Sequence, residues 1–189
     1  MISGEDFPYG WLYFSMFPTL TLARHMQYGD LSTSADGRFV AFDTEASHLV
    51  PGDTNGTSDV FLYDRQNGRV EWVSVASNGT QGNGSSGSPS VSADGRSVAF
   101  DSNASNLVPG DTNGTRDVFV YDRQNGAVER VSVANDGTHG NDQSLWASVS
   151  ADDRFVAFTT DASNLVTGDT NGATRRVGVR PAKCHGRAD

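Results

Sequence analysis

Apolar residues fall on alternate positions in short runs along this chain, and turn-forming Gly, Asn, Asp and Ser separate the runs. The middle of the sequence shows the pattern best. In 96–101 (RSVAFD) Val98 and Phe100 share one face and Ala99 takes the other. The run 117–122 (DVFVYD) is rich in β-branched and aromatic residues, and 127–133 (AVERVSV) alternates again. A period of two in runs of this length predicts half-buried strands. The strings 92–95 (SADG) and 123–126 (RQNG) predict tight turns, with Gly95 free to take positive φ. With the short run 88–91, that makes four strands, and a long loop at 102–116 separates the second from the third.

This unit is written almost three times. SAD begins at Ser34, Ser92 and Ser150, and GDTNG recurs at 52–56, 110–114 and 168–172, a spacing of 58 residues. Residues 34–75 and 92–133 are identical at 34 of 42 positions. A fixed period of this size predicts a repeat architecture, and four antiparallel strands per repeat predict a propeller blade. The expected organisation is N-terminal strands at 1–33, repeats at 34–91 and 92–149, a partial repeat at 150–172, and an irregular tail at 173–189, where the strand pattern is lost. Shifted by one period, 1–33 supplies the third and fourth strands of a preceding blade, completing a blade of this chain or of a partner copy.

The order P-x-S-x-S-A-D-G-R-x-V-A-F, then D-V-F-V-Y-D-R-x-x-G and R-V-S-V, resembles the TolB-type β-propeller repeat, related in architecture to tryptophan–aspartate repeat propellers. It covers about residues 31–172. The resemblance implies an all-β propeller that engages protein partners through its funnel and top face, in the periplasm or outside the cell. The loop carrying GDTNG is longer than in TolB itself.

About three blades do not close a ring of the usual four to eight. An open arc would expose sheet faces and unpaired edges. The expected partner is therefore the chain itself, in a homo-oligomer. A dimer is favoured, giving six blades, or five if the third copy stays incomplete. A further reading is a fragment of a longer propeller protein with no function of its own.

Charge narrows the partners. The net charge is −9 and Lys occurs once, at Lys183. With no basic stripe, nucleic acid is excluded as a partner. The apolar run 11–20 (WLYFSMFPTL) is too short to span a bilayer, and it follows Glu5 and Asp6 rather than a basic stretch, unlike a signal peptide. Cys184 stands alone, so no intrachain disulfide forms.

The aspartates set in Gly/Asn turns invite a hard cation. In D-x-N-G-x-x-D, oxygen side chains curl around a Gly turn, as in the middle of an EF-hand loop, and the expected ion is calcium. The candidate ligands are Asp53, Asn55, Thr57 and Asp59 in the first copy and Asp111, Asn113, Thr115 and Asp117 in the second. Asp169 and Asn171 remain in the third, where Arg175 replaces the second Asp and cripples the site. A hydrogen-bonded turn without metal is the competing reading.

Where the copies differ, His48 replaces Asn106 and Asn164, His139 replaces Gln81, Trp72 faces Arg130, and Trp146 replaces Ser88. A His beside calcium is a candidate general base, so a calcium-dependent hydrolase of lactones or related esters is the enzyme alternative to a binding module. No nucleophile elbow, zinc-protease helix motif or phosphate loop is present.

Overall fold

The computed structural model describes residues 30–166 and 176–181. Among them are eleven strands and no helix. The run 11–20, Asp169, Asn171 and Cys184 lie outside the described residues.

The first sheet holds β1 (Leu31–Thr33), β2 (Phe39–Thr44), β3 (Asp59–Asp64) and β4 (Arg69–Trp72), in that order. The second repeats it with β5 (Ser86–Val91), β6 (Ser97–Ser102), β7 (Asp117–Asp122) and β8 (Ala127–Arg130). Each pair is antiparallel, and register is conserved between sheets: Phe42 faces Phe61 as Phe100 faces Phe119. The four-stranded blade expected from the alternation is present.

Blade limits differ from the repeat limits drawn on the sequence. Leu31–Thr33 is the first strand of the first blade and pairs with β2, rather than belonging to a preceding blade. Ser86–Val91 falls inside the repeat limits 34–91 but opens the second blade, as expected of the short run at 88–91.

The third sheet has three strands: β9 (Ser144–Val149), β10 (Phe155–Thr160) and β11 (Arg176–Pro181). β11 corrects the irregular tail expected from 173 onward. It pairs along the whole of β10, from Thr160 opposite Arg176 to Phe155 opposite Pro181. A strict repeat would set residue 175 opposite Thr160, as Asp117 stands opposite Ser102, so the strand sits one residue late. The alternating sequence Val177-Gly178-Val179 keeps strand period there without the aromatic signature of the other copies.

Two cores hold the blades face to face. Phe39, Ala41, Val60 and Leu62 of the first sheet pack on Val98, Phe100, Phe119 and Tyr121 of the second. Ala99, Val118 and Val120 pack on Val156 and Phe158 of the third. Successive residues of each strand therefore serve opposite junctions, the period-two logic of a stacked sheet. First strands meet one another: β5 touches both β1 and β9.

Candidate functional site

The GDTNG loops join the second and third strands of each blade, and Gly52, Gly56, Gly110 and Gly114 all take positive φ within them. That curl is possible because glycine carries no Cβ. In the first loop Thr57 N–H donates to Asn55 Oδ1 at 3.0 Å, while Asn55 Nδ2 donates to Asp59 Oδ2 at 2.9 Å and to Gly82 O at 3.0 Å. The second loop repeats this, with Asn113 Nδ2 donating to Asp117 Oδ2 at 2.8 Å and to Gly140 O at 2.9 Å. Each Asn is thus a bracket that turns its amide nitrogen, not its oxygen, toward the carboxylate. The side-chain oxygen is spent on a backbone N–H two residues on, as an Asx turn requires.

The carboxylates at the ends of the strands are deeply held. Asp59 Oδ1 accepts from Ser74 Oγ at 2.6 Å, and Asp117 Oδ1 accepts from Ser132 Oγ at 2.6 Å. Each serine also accepts a backbone N–H, from Val60 and from Val118. Burial pushes the Asp59 and Asp117 carboxyls up, against the lowering effect of these bonds.

Beyond that frame the two loops part company. In the second blade Arg130 Nη2 lies 2.6 Å from Asp111 Oδ1 and its Nη1 lies 3.3 Å from Asp117 Oδ2, with all three side chains buried. The protein supplies a cation of its own there, and the charge of Asp111 and Asp117 is already met. In the first blade the same position is Trp72, whose Nε1 donates to Ser74 Oγ at 3.1 Å. Asp53 accepts from Gln81 Nε2 at 2.9 Å through Oδ1, but its buried Oδ2 has no hydrogen-bond partner. Thr57 Oγ1 is likewise buried without one, as is Thr115 Oγ1 in the second loop, so only the aspartate differs. The Asp53 charge raises the Asp59 carboxyl further. The first loop is therefore the second loop without its guanidinium. Among the described residues no three His, Cys, Asp or Glu side chains converge.

The two histidines stand on different blades. Asn106 Nδ2 donates to Gln81 O at 2.8 Å, and Asn164 Nδ2 to His139 O at 2.8 Å, so this position clamps a loop to the stretch that enters its blade. His48 occupies the equivalent place in the first blade and is exposed. His139 takes the place of Gln81, half-buried beside the second loop.

A second cluster lies beside the first strands, and sequence reasoning missed it. Asp43 accepts from Asp30 N–H at 2.9 Å and from Ser58 Oγ at 3.2 Å. Asp101, its equivalent, is 2.7 Å from Arg116 Nε and accepts from Trp146 N–H at 3.0 Å. Burial raises Asp43 to about 6, with the charges of Asp30 and Asp101 adding to it. Ser88 and Trp146, equivalent residues, take φ of 51° and 52° where the pairing of β5 and β9 slips. Such bulges re-aim a side chain. Trp146 is 49% exposed. The only sequence signal was the disagreement of copies at 30, 88 and 146.

No family model and no curated protein matches the chain. Among solved structures, TolB from Acinetobacter baumannii matches with a TM-score of 0.52 at 20% identity, over 82% of this chain and 30% of that one. The chain has a TolB-like β-propeller fold. A TolB-designated protein from Agrobacterium tumefaciens matches at a TM-score of 0.48 and 16% identity, over 79% of this chain and 48% of that one. The TolB-like chain thus spans about 30% of the length of the first of these. Identity this low establishes the architecture alone, and the functional argument rests on the residues above. No helix among the described residues is long and apolar enough to cross a membrane.

Proposed function

We propose that this chain is a binding module on a propeller scaffold, with calcium seated in its first GDTNG loop and further copies of the chain extending its arc of blades. The observation that carries the calcium reading is the contrast at one position. Arg130 neutralises Asp111 and Asp117, whereas at Trp72 no described cation reaches Asp53 and Asp59, and Asp53 Oδ2 is left buried without a hydrogen-bond partner where Asp111 has the guanidinium. An ion there would play the part of the guanidinium, and binding only the folded state would stabilise it. The reading confines calcium to the first loop, since the second is already neutralised. Calcium titrated into the chain should give binding heat that Asp53→Asn abolishes and Asp111→Asn leaves. Absence of heat, with no melting shift on adding a chelator, rejects it.

The binding surface is the bulged side of the first strands, where Trp146 projects beside Asp101 and Arg116. An exposed Trp held at positive φ is a feature maintained against strain, which points to use. The resemblance to TolB-type propellers supports a protein partner. The hydrolase reading requires a histidine beside the ion; His48 is exposed, and His139 stands beside the second loop rather than the first. Lactone opening that depends on calcium and is lost in His48→Ala or His139→Ala would restore it.

A further inference from the structure

We infer that the open face of the third blade receives the first blade of a second copy, head to tail, with Phe155 of one protomer entering the turn at Gly37 of the next. This rests on the reading that copies extend the arc, and it names the contact.

The junction between the first two blades shows the device. Two guanidinium groups lie over the Phe39 ring, that of Arg38 at 4.7 Å from its centre and that of Arg123 from the second blade at 4.4 Å. Its ring is seated on Gly95, which is buried at φ 73°, and a Cβ there would overlap the ring. A phenyl wedge on one blade thus requires a glycine socket on the next. The second junction lacks the wedge and lacks the socket. Ser97 replaces Phe39, and Asp153 replaces Gly95, buried and at φ 60°. Asp153 approaches Arg96 at 4.0 Å instead. Wedge and socket change together.

The third blade restores the wedge. Phe155 stands in the Phe39 position with Arg154 over its ring at 5.2 Å, and it is 42% exposed where Phe39 is 4% exposed. The first blade holds a socket of the right kind. Gly37 takes φ 66°, and the nearest described atom to the site of a Cβ is Arg65 Nη1 at 3.6 Å. Arg65 is the equivalent of Arg123 and stands ready to cover the incoming ring; it now donates to Gly37 O at 2.9 Å. Between the second and third blades the pair would not fit, because Asp153 fills the socket. The two ends of the described arc are therefore complementary to each other. A contact of this kind is heterologous, so repetition closes a ring or grows a filament according to the rotation per step.

Sedimentation of the full chain over a concentration series tests this, alongside Phe155→Asp. Disulfide capture tests the register. Ala35 N–H donates to Ala93 O at 3.0 Å across the first junction, so Ala151→Cys in one chain and Ala35→Cys in another should pair, both in a Cys184→Ser background. The expected result is a mass rising to at least twice 20.1 kDa for the parent chain and holding at 20.1 kDa for Phe155→Asp, with unchanged circular dichroism. The cross-link should form only in the mixture of the two cysteine chains. Association that persists in Phe155→Asp, with no cross-link, overturns this contact while leaving assembly of copies standing. A parent chain that stays at 20.1 kDa without cross-linking overturns both, and means that other residues of the same chain, or a different protein, cover the face.

Discussion

Trp72 and Arg130 hold the same place in successive blades, each 6.0 Å from a phenyl ring centre, Trp72 over Phe61 and Arg130 over Phe119. One packs as an indole and the other adds a charge that reaches two buried aspartates. The blades share a scaffold in which a single substitution decides how the loop meets its charge.

Trp72→Arg should therefore convert the first loop to the second. The guanidinium would reach Asp53 and Asp59, raising stability in chelator by about 1.5–3 kcal/mol, the scale of hydrogen bonds to charged groups. Thermal melts with and without calcium check this: the variant should melt higher without the ion and no longer respond to it.

Arg130→Ala should be among the more damaging changes in the chain. It leaves Asp111 and Asp117 buried without a counter-charge, which costs about 3–5 kcal/mol when one partner of a buried pair is lost. Urea unfolding measures the loss. Added calcium should recover part of it, because the emptied place then matches the first loop.

Gly95→Ala should destabilise by about 3 kcal/mol, from overpacking against Phe39 together with a left-handed backbone. Phe39→Ser in the same chain, the residue the second blade carries at this place, should recover the overpacking share. A double-mutant cycle in urea reads the coupling, and simple additivity would contradict the wedge-and-socket contact.

Asp43 sets the pH dependence near neutrality. Its carboxyl is raised to about 6, chiefly by burial, so the folded state holds the proton more tightly than the unfolded chain does. Stability from this group is full below the ordinary carboxylate range and falls as pH rises through about 6. Asp64 works in the opposite sense. Arg38 lowers it to about 2, so its contribution is present above the ordinary range and is lost as pH falls toward 2. Asp43→Asn should flatten the slope between pH 4 and 6 and stabilise the chain at pH 7, as followed by melting temperature across pH.

The fold was legible because the repeat prints each strand more than once. Val118, Phe119 and Val120 announce a strand by type and alternation, and their counterparts in the first blade confirm it. β11 was not legible, since its register slips by one residue and only Val177 and Val179 keep the period. Within the loops, the recurrence of Asp and Asn was visible, but the direction of the Asn55 amide was not. A ligand and a bracket would use the same residue at the same spacing, and the bonds to Thr57 N–H and Gly82 O come from backbone that the local pattern does not place. Arg130 was visible as a difference from Trp72, yet its reach to Asp111 depends on strand pairing that places β8 beside β7. The acidic cluster at Asp43 and Asp101 joins residues from neighbouring blades, a proximity that no local pattern contains.

The fit between Phe39 and Gly95 bears on how such a chain can change in length. Near-identical repeats invite the loss or gain of whole units by recombination. Excision of residues 92–149 preserves every strand pattern but brings Phe39 against Asp153, whose Cβ falls where the ring must lie. Duplication of the first unit would bring Phe39 against another Gly37 and cause no such collision. The junctions thus oppose loss of the second unit while leaving duplication of the first free of such a clash.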